Sequence, residues 1–233
     1  MIPIGDDPPR RRFPWVTILL IVVNVLVFVY QLTLPERQLD IFVQEFGTIP
    51  VEIRSGRDLP PLAPGPVWIT LFTAMFIHGG FLHLGSNMLY LWVFGDNVED
   101  RLGHMTYLFF YVASGIVAGL THVFFNPQST IPSVGASGAI AGVLGGYLLM
   151  FPGAQIRTLV ILGPILLFPR ISAVLMIGFW FLMQFLAGLL SLGAATEQTS
   201  GVAVWAHVGG FVAGVLLALV LRPRRPARAV TAW

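Results

Sequence analysis

Six stretches of the chain are apolar almost without interruption, at about 14–32, 81–95, 104–125, 137–151, 171–192 and 203–221. Crossing the hydrocarbon of a bilayer takes about 20 mostly apolar residues per helix, and the pattern therefore predicts six membrane spans. The second and fourth runs are short for a full crossing, but residues 67–78 and 156–168 are apolar as well and extend or flank them. Both short runs end in polar or proline-marked turns, GDNVEDR at 95–101 and FPGAQIR at 151–157. The long connection from Thr33 to Gly80 is rich in proline at 60–66, with Trp68 close by, which predicts a structured loop resting at the membrane interface. The expected fold class is all-α, a polytopic membrane helix bundle of six transmembrane helices over residues 14–221, with tails at 1–13 and 222–233. The first run is too long for a signal-peptide core and has no small-residue cleavage site, so it is read as a retained anchor.

Composition agrees with a bilayer: 56% of the 233 residues are hydrophobic and 10% are charged, against about 45–50% and ~25% in ordinary globular chains. Cysteine is absent, which excludes disulfides, thiolate metal sites and a cysteine nucleophile. The basic residues are arginines that flank apolar runs, where anionic lipid head groups sit, so no nucleic-acid partner is expected. With six spans both termini share a side. That side holds Arg10, Arg11, Arg12, Arg101, Arg157, Arg170, Arg222, Arg224, Arg225 and Arg228, and the opposite side holds Arg37, Arg54 and Arg57. The excess places both termini and both tails in the cytoplasm. The second, fourth and sixth spans then all start at the outer side.

Polar side chains inside spans are costly, about 2.5–3.5 kcal/mol for a charge at mid-helix, so the few present are candidates for function. His83 and Asn87 begin the second span, Ser137 begins the fourth, and His207 lies about one turn into the sixth. By parity these four groups share one outer layer. Ser137, in GASGAIAG, falls in a first helical turn, where free backbone N–H groups and the positive dipole end stabilise a developing oxyanion. His83 and Asn87, four residues apart in HLGSN, share a helical face and can donate to a common point. Taken singly, each has a bland alternative: a serine packed among small residues, a hydrogen-bonded structural histidine, an interhelical hydrogen bond worth roughly 0.6 kcal/mol.

The glycines supply a reason for Ser137 and His207 to meet. Gly138, Gly142 and Gly146 recur every four residues on the fourth span, and Ala206, Gly210, Gly214 and Ala218 do so on the sixth. Small residues at this spacing let helix backbones approach closely in lipid. A metal site from His78, His83 and His207 is disfavoured because no carboxylate lies among them, and neither a metal nor another cofactor is expected. No Asp or Glu falls inside a predicted span; Asp96, Glu99 and Asp100 lie at the inner end of the second and Glu197 before the sixth. A Ser137–His207 dyad, the imidazole as general base, is therefore expected in place of a full Ser-His-Asp triad.

Three ordered motifs, HGGFLHLGSNMLYLWVFG at 78–95, GASGAIAG at 135–142 and AHVGGFVAG at 206–214, resemble the rhomboid family of intramembrane serine proteases, over about 14–221. The likeness is to the six-span bacterial form, and it implies a bacterial inner-membrane protein with its active site towards the outer side. It implies Ser137 as nucleophile, His207 as general base, and His83, Asn87 and the Ser137 amide as oxyanion-hole donors. Substrates would be single-span or polytopic membrane proteins within the lipid bilayer, entering by a gate formed near residues 171–203. Two features depart from the family pattern. Trp68 is followed by Ile69 where an arginine is common, and Ala141 stands where some members carry a tyrosine that stacks on the histidine, so Trp180 or Gln184 must position the ring instead. The competing readings are a catalytically inactive rhomboid-like scaffold that binds membrane helices, which the intact Ser137 and His207 oppose, and a transporter or channel, which lacks the expected mid-membrane polar groups and internal symmetry.

Overall fold

The computed structural model describes residues 2–192 and 203–222. Glu197, most of the connection before the last span, and Arg224, Arg225 and Arg228 of the C-terminal tail lie outside the described residues. The chain opens with strand β1 (Ile2–Asp6), followed by helices α1 (Trp15–Thr33), α2 (Glu36–Phe46) and α3 (Pro50–Ser55). Helix α4 (Thr70–Thr73) lies between two short 3-10 turns, and α5 (Phe81–Leu102), α6 (His104–Phe125) and α7 (Ser137–Met150) follow. Strands β2 (Gln155–Leu162), β3 (Ile165–Leu167) and β4 (Arg170–Ser172) lead into α8 (Ala173–Ser191), and α9 (Val204–Leu221) ends the described part.

Each of the six predicted apolar runs is helical. Among the described residues, helices α1, α6, α8 and α9 are individually long and apolar enough to cross a membrane, and the Val67–Phe76 segment with α5, bent by 83°, is so when the two are taken together. The bundle is thus that of an integral membrane protein. Helix α7 has only 14 residues, and its positions from Gly138 to Tyr147 are all buried. A helix enclosed by other helices is apolar on every face and need not match the hydrocarbon thickness alone.

Three details differ from expectation. The all-α expectation is modified by a small sheet at the end of the bundle that holds the N-terminus. There β1 pairs with β2 (Ile2↔Leu159, Asp6↔Ile156), and β2 pairs with both β4 and β3. Residues 156–168 are therefore not a flank of a span. Ile156 and Thr158 are buried while Arg157 is exposed, an alternation that fits a strand covered on one face.

The second span also does not stop at residue 95, because α5 runs on to Leu102. Its acidic last turns are stabilised by the start of α1, whose N-cap is Pro14 and has no side-chain cap of its own. The Glu99 carboxylate, 1% exposed, accepts hydrogen bonds from Val16 N (2.9 Å), Thr17 N (2.8 Å) and Thr17 Oγ1 (2.7 Å). Groups that would be orphaned at a helix N-terminus are so satisfied from a neighbouring helix. Asp100 accepts from the Arg12 amide at 2.8 Å, and Arg10 pairs with Asp96 at 3.2 Å. Gly103 alone joins α5 to α6, at φ 83°, a conformation open to glycine.

The contact that sets the site is between α7 and α9. A Cβ on Gly214 would collide with the carbonyl oxygen and Cα of Gly142, and one on Gly210 with the carbonyl oxygen of Gly138. These backbones touch directly. Gly138 and Gly142 also face α6, where a Cβ would overlap Ala118 and Ser114. The expected third member, Gly146, does not face α9: a Cβ there would lie 2.8 Å from Phe110 of α6. Gly145 takes its place, against the Phe211 carbonyl. The reason is helical geometry. At about 100° per residue, four-residue steps drift by about 40° each, whereas seven residues return to within about 20°.

Replacing Gly210 or Gly214 by valine is expected to force α7 and α9 apart and to lower stability by at least about 1–3 kcal/mol, the usual cost of overpacking. Gly178→Ala, where nothing lies within 4 Å of the new Cβ, is expected to be tolerated. Thermal unfolding of the purified variants in detergent checks both.

At the sheet end, the Asp6 carboxylate accepts from Tyr147 OH (2.6 Å) and Asn97 Nδ2 (2.8 Å). Burial pushes its pKa up from 3.8 to about 6, opposed by the Tyr147 hydrogen bond and assisted by the Asp96 and Asp7 carboxylates. An acid bound more tightly to its proton in the fold than in the unfolded chain contributes stability that is present below about pH 4 and lost as pH rises through about 6. Across that window, Asp6→Asn is expected to show a smaller fall in unfolding temperature than the parent chain.

Candidate active site

Ser137 is the first residue of α7, and His207 lies in the first turn of α9. The close α7–α9 packing places His207 Nε2 at 2.8 Å from Ser137 Oγ. The other ring nitrogen, Nδ1, lies 2.8 Å from Gln184 Oε1 on α8. An amide oxygen can only accept, so Nδ1 carries the proton and Nε2 is free to accept from the serine hydroxyl. This tautomer follows from the hydrogen bonds rather than from a visible hydrogen. Trp180 of α8 covers the ring, with centroids 5.8 Å apart. Ala141, one turn after Ser137, is buried and brings no ring to stack on the histidine, and the imidazole is held from α8 by both Trp180 and Gln184.

His83 and Asn87 occupy the first two turns of α5, at the same end of the bundle. Gly79 N donates to His83 Nδ1 at 3.3 Å, which leaves the proton of the neutral ring on Nε2. That nitrogen reaches the loop preceding Ser137: a Cβ on Gly135 would lie 2.7 Å from it and 3.7 Å from Asn87 Nδ2. Gly135 also has φ 124°, a backbone conformation that side chains disfavour. Its lack of a Cβ makes room for the imidazole beside the serine loop. Gly135 N donates to Ala74 O at 2.8 Å, fixing that loop to the turn before α5.

His83, Asn87, Gly135, Ser137, Trp180 and His207 all line one cavity of about 680 Å³. Side chains from four helices, α5, α7, α8 and α9, thus converge on a single space, at the bundle end opposite the sheet.

His78 is a residue whose place the sequence did not reveal. It is 1% exposed, and its Nε2 accepts from Asn87 Nδ2 at 3.0 Å. Its backbone is bracketed by Gln31 of α1, whose Oε1 accepts from His78 N and whose Nε2 donates to His78 O, both at 3.0 Å. One amide hydrogen of Asn87 is thereby used for orientation and the second remains for the cavity. The available signal was Gln31 itself, a polar residue at the end of an apolar run.

A sequence profile of the Rhomboid domain matches residues 65–224. Similar proteins include RHOMBOID-like protein 4 of Arabidopsis thaliana, 29% identical over 231 residues, covering 91% of this chain and 54% of that protein. The mitochondrial Rhomboid protein 1 of Saccharomyces cerevisiae is 34% identical over 153 residues, 64% of this chain and 40% of the relative. Rhomboid protease GluP of Bacillus subtilis is 42% identical over 81 residues, 35% of this chain and 15% of the relative. The chain spans about half the length of these relatives, or less. The domain match covers more than half of the chain and includes the histidine, serine and second histidine motifs in their order, so this chain belongs to the rhomboid family.

Proposed function

We propose that this protein is an intramembrane serine endopeptidase that hydrolyses peptide bonds in or near the transmembrane segments of membrane proteins, with Ser137 and His207 as its catalytic dyad. The observation that carries this reading is the 2.8 Å approach of His207 Nε2 to Ser137 Oγ inside a cavity of the bundle. Relatives of the same family named as proteases support it.

His207 takes the Ser137 proton as Oγ attacks the scissile carbonyl, then returns it to the departing amine. Water activated by the same imidazole hydrolyses the acyl-enzyme. The tetrahedral oxyanion is stabilised by the Ser137 amide at the α7 N-terminus, by His83 Nε2–H and by the second Asn87 N–H, three residues that line the same cavity. No cofactor enters this chemistry.

In this reading α7 counts with α1, α5, α6, α8 and α9 as the sixth crossing, within a membrane domain at 14–221. Arginine placement supports cytoplasmic tails at 1–13 and 222–233, and the pairing of β1 with β2 supports one shared side for the N-terminus and the α7–α8 connection. We place the protein in a bacterial inner membrane, its cavity towards the outer side.

Purified wild-type protein in detergent is expected to cleave a fluorescently labelled single-span substrate, whereas Ser137→Ala and His207→Ala are expected to be inactive. Asn87→Ala should retain cleavage about 10²–10³-fold slower, the usual loss for one oxyanion donor among several. Equal cleavage by wild type, Ser137→Ala and His207→Ala would overturn the assignment.

A further inference from the structure

We infer that Gln184 is a positioning residue that completes a Ser137–His207–Gln184 relay, holding the imidazole in the tautomer that can act as base; this rests on the protease reading above. Gln184 lies in the middle of α8, whose sequence AVLMIGFWFLMQFLAGLLS is otherwise apolar through its central turns. An amide in such a helix is costly unless it is hydrogen-bonded. Gln184 spends its carbonyl oxygen on His207 Nδ1 at 2.8 Å, on the far side of the ring from Ser137 Oγ. The two bonds flank the imidazole as a carboxylate and a serine do in a full triad.

A neutral acceptor differs from a carboxylate in one respect. It orients the ring and selects the Nδ1–H form, but it adds little attraction for the imidazolium, because it brings no charge into the membrane. The relay also depends on a different helix from the dyad. Helix α8 has only Ala173, Met176, Ile177 and Gly188 buried among its 19 residues. It is tied to α9 by Phe181 stacked on Phe211 at 4.3 Å and by Trp205 beside Gly188. Gln184 lies between these two contacts on the same helical stripe, so docking of α8 on α9 sets its reach to His207.

The test is the rate at which a fluorophosphonate labels Ser137 in the full-length protein in detergent, measured from acid to alkaline pH. It needs no identified substrate. Gln184→Ala is expected to label about 10–10²-fold more slowly throughout, less than the ~10⁴ lost when a triad acid is replaced so that the tautomer is wrong. Gln184→Glu, nearly isosteric, is expected to keep labelling but to move the acid limb of the profile to higher pH. The introduced carboxylate favours the protonated ring, and only the neutral ring can act as base. Rates and profiles equal to wild type in both variants would overturn the proposal while leaving the dyad intact, as would a Gln184→Glu profile that drops without moving. Wild-type labelling that is absent at Ser137, or unaffected by His207→Ala, would overturn the protease reading and the relay with it.

Discussion

The structure depends on direct backbone contact between α7 and α9. In a bilayer there is little hydrophobic gain from pairing two apolar helices, because lipid is as apolar as their side chains; close van der Waals packing has to hold them together. Gly138, Gly142 and Gly145 on one helix meet Gly210, Phe211 and Gly214 on the other with no side-chain atoms between the backbones. That closeness lets a serine hydroxyl, one of the shortest polar groups available, reach an imidazole on another helix. Ser137 and His207 stand at the same end of this contact, at the starts of their helices. The hydrogen bond between them is therefore a consequence of glycine placement further along.

The two ends of the bundle treat polarity in opposite ways. At the N-terminal end, carboxylates bridge separate elements: Glu99 takes up the free N–H groups of α1, and Asp6 joins Tyr147 to Asn97. Hydrogen bonds of this kind tie β1, α1, α5 and α7 together at that end. At the other end, the polar atoms are only partly paired. His83 and Asn87 line a cavity of about 680 Å³, while His78, bracketed by Gln31, holds Asn87 from behind.

Helix α8 stands apart from this arrangement. It is the candidate gate implied by the family resemblance, and most of its surface is free to face lipid, yet it supplies both Trp180 and Gln184 to the ring of His207. The His207 ring thus lies between a buried helix, α7, and a peripheral one, α8.

Much was legible in the amino-acid sequence because the periodicities involved are local. The six apolar runs became six helices, all but the second within a few residues of their expected ends, since burial in lipid or protein demands continuous apolar character and internally satisfied backbone groups. The polar residues His83, Asn87, Ser137 and His207 stood out for the same reason, as costly exceptions with matching depth. What the chain alone did not decide were matters of rotation and of partnership between distant segments. Whether Gly145 or Gly146 faces α9 depends on the helix's phase against its neighbours. Whether α5 stops at a polar turn or continues to Leu102 depends on α1 offering its N–H groups to Glu99. Likewise, residues 156–159 pair with β1, some 150 residues earlier, while 160–167 fold back on themselves as a local β2–β3 hairpin. Gln184 and His78 acquire their places only when α8 and α1 dock, because hydrogen bonds across helices are set by tertiary approach and leave no periodic trace in one sequence.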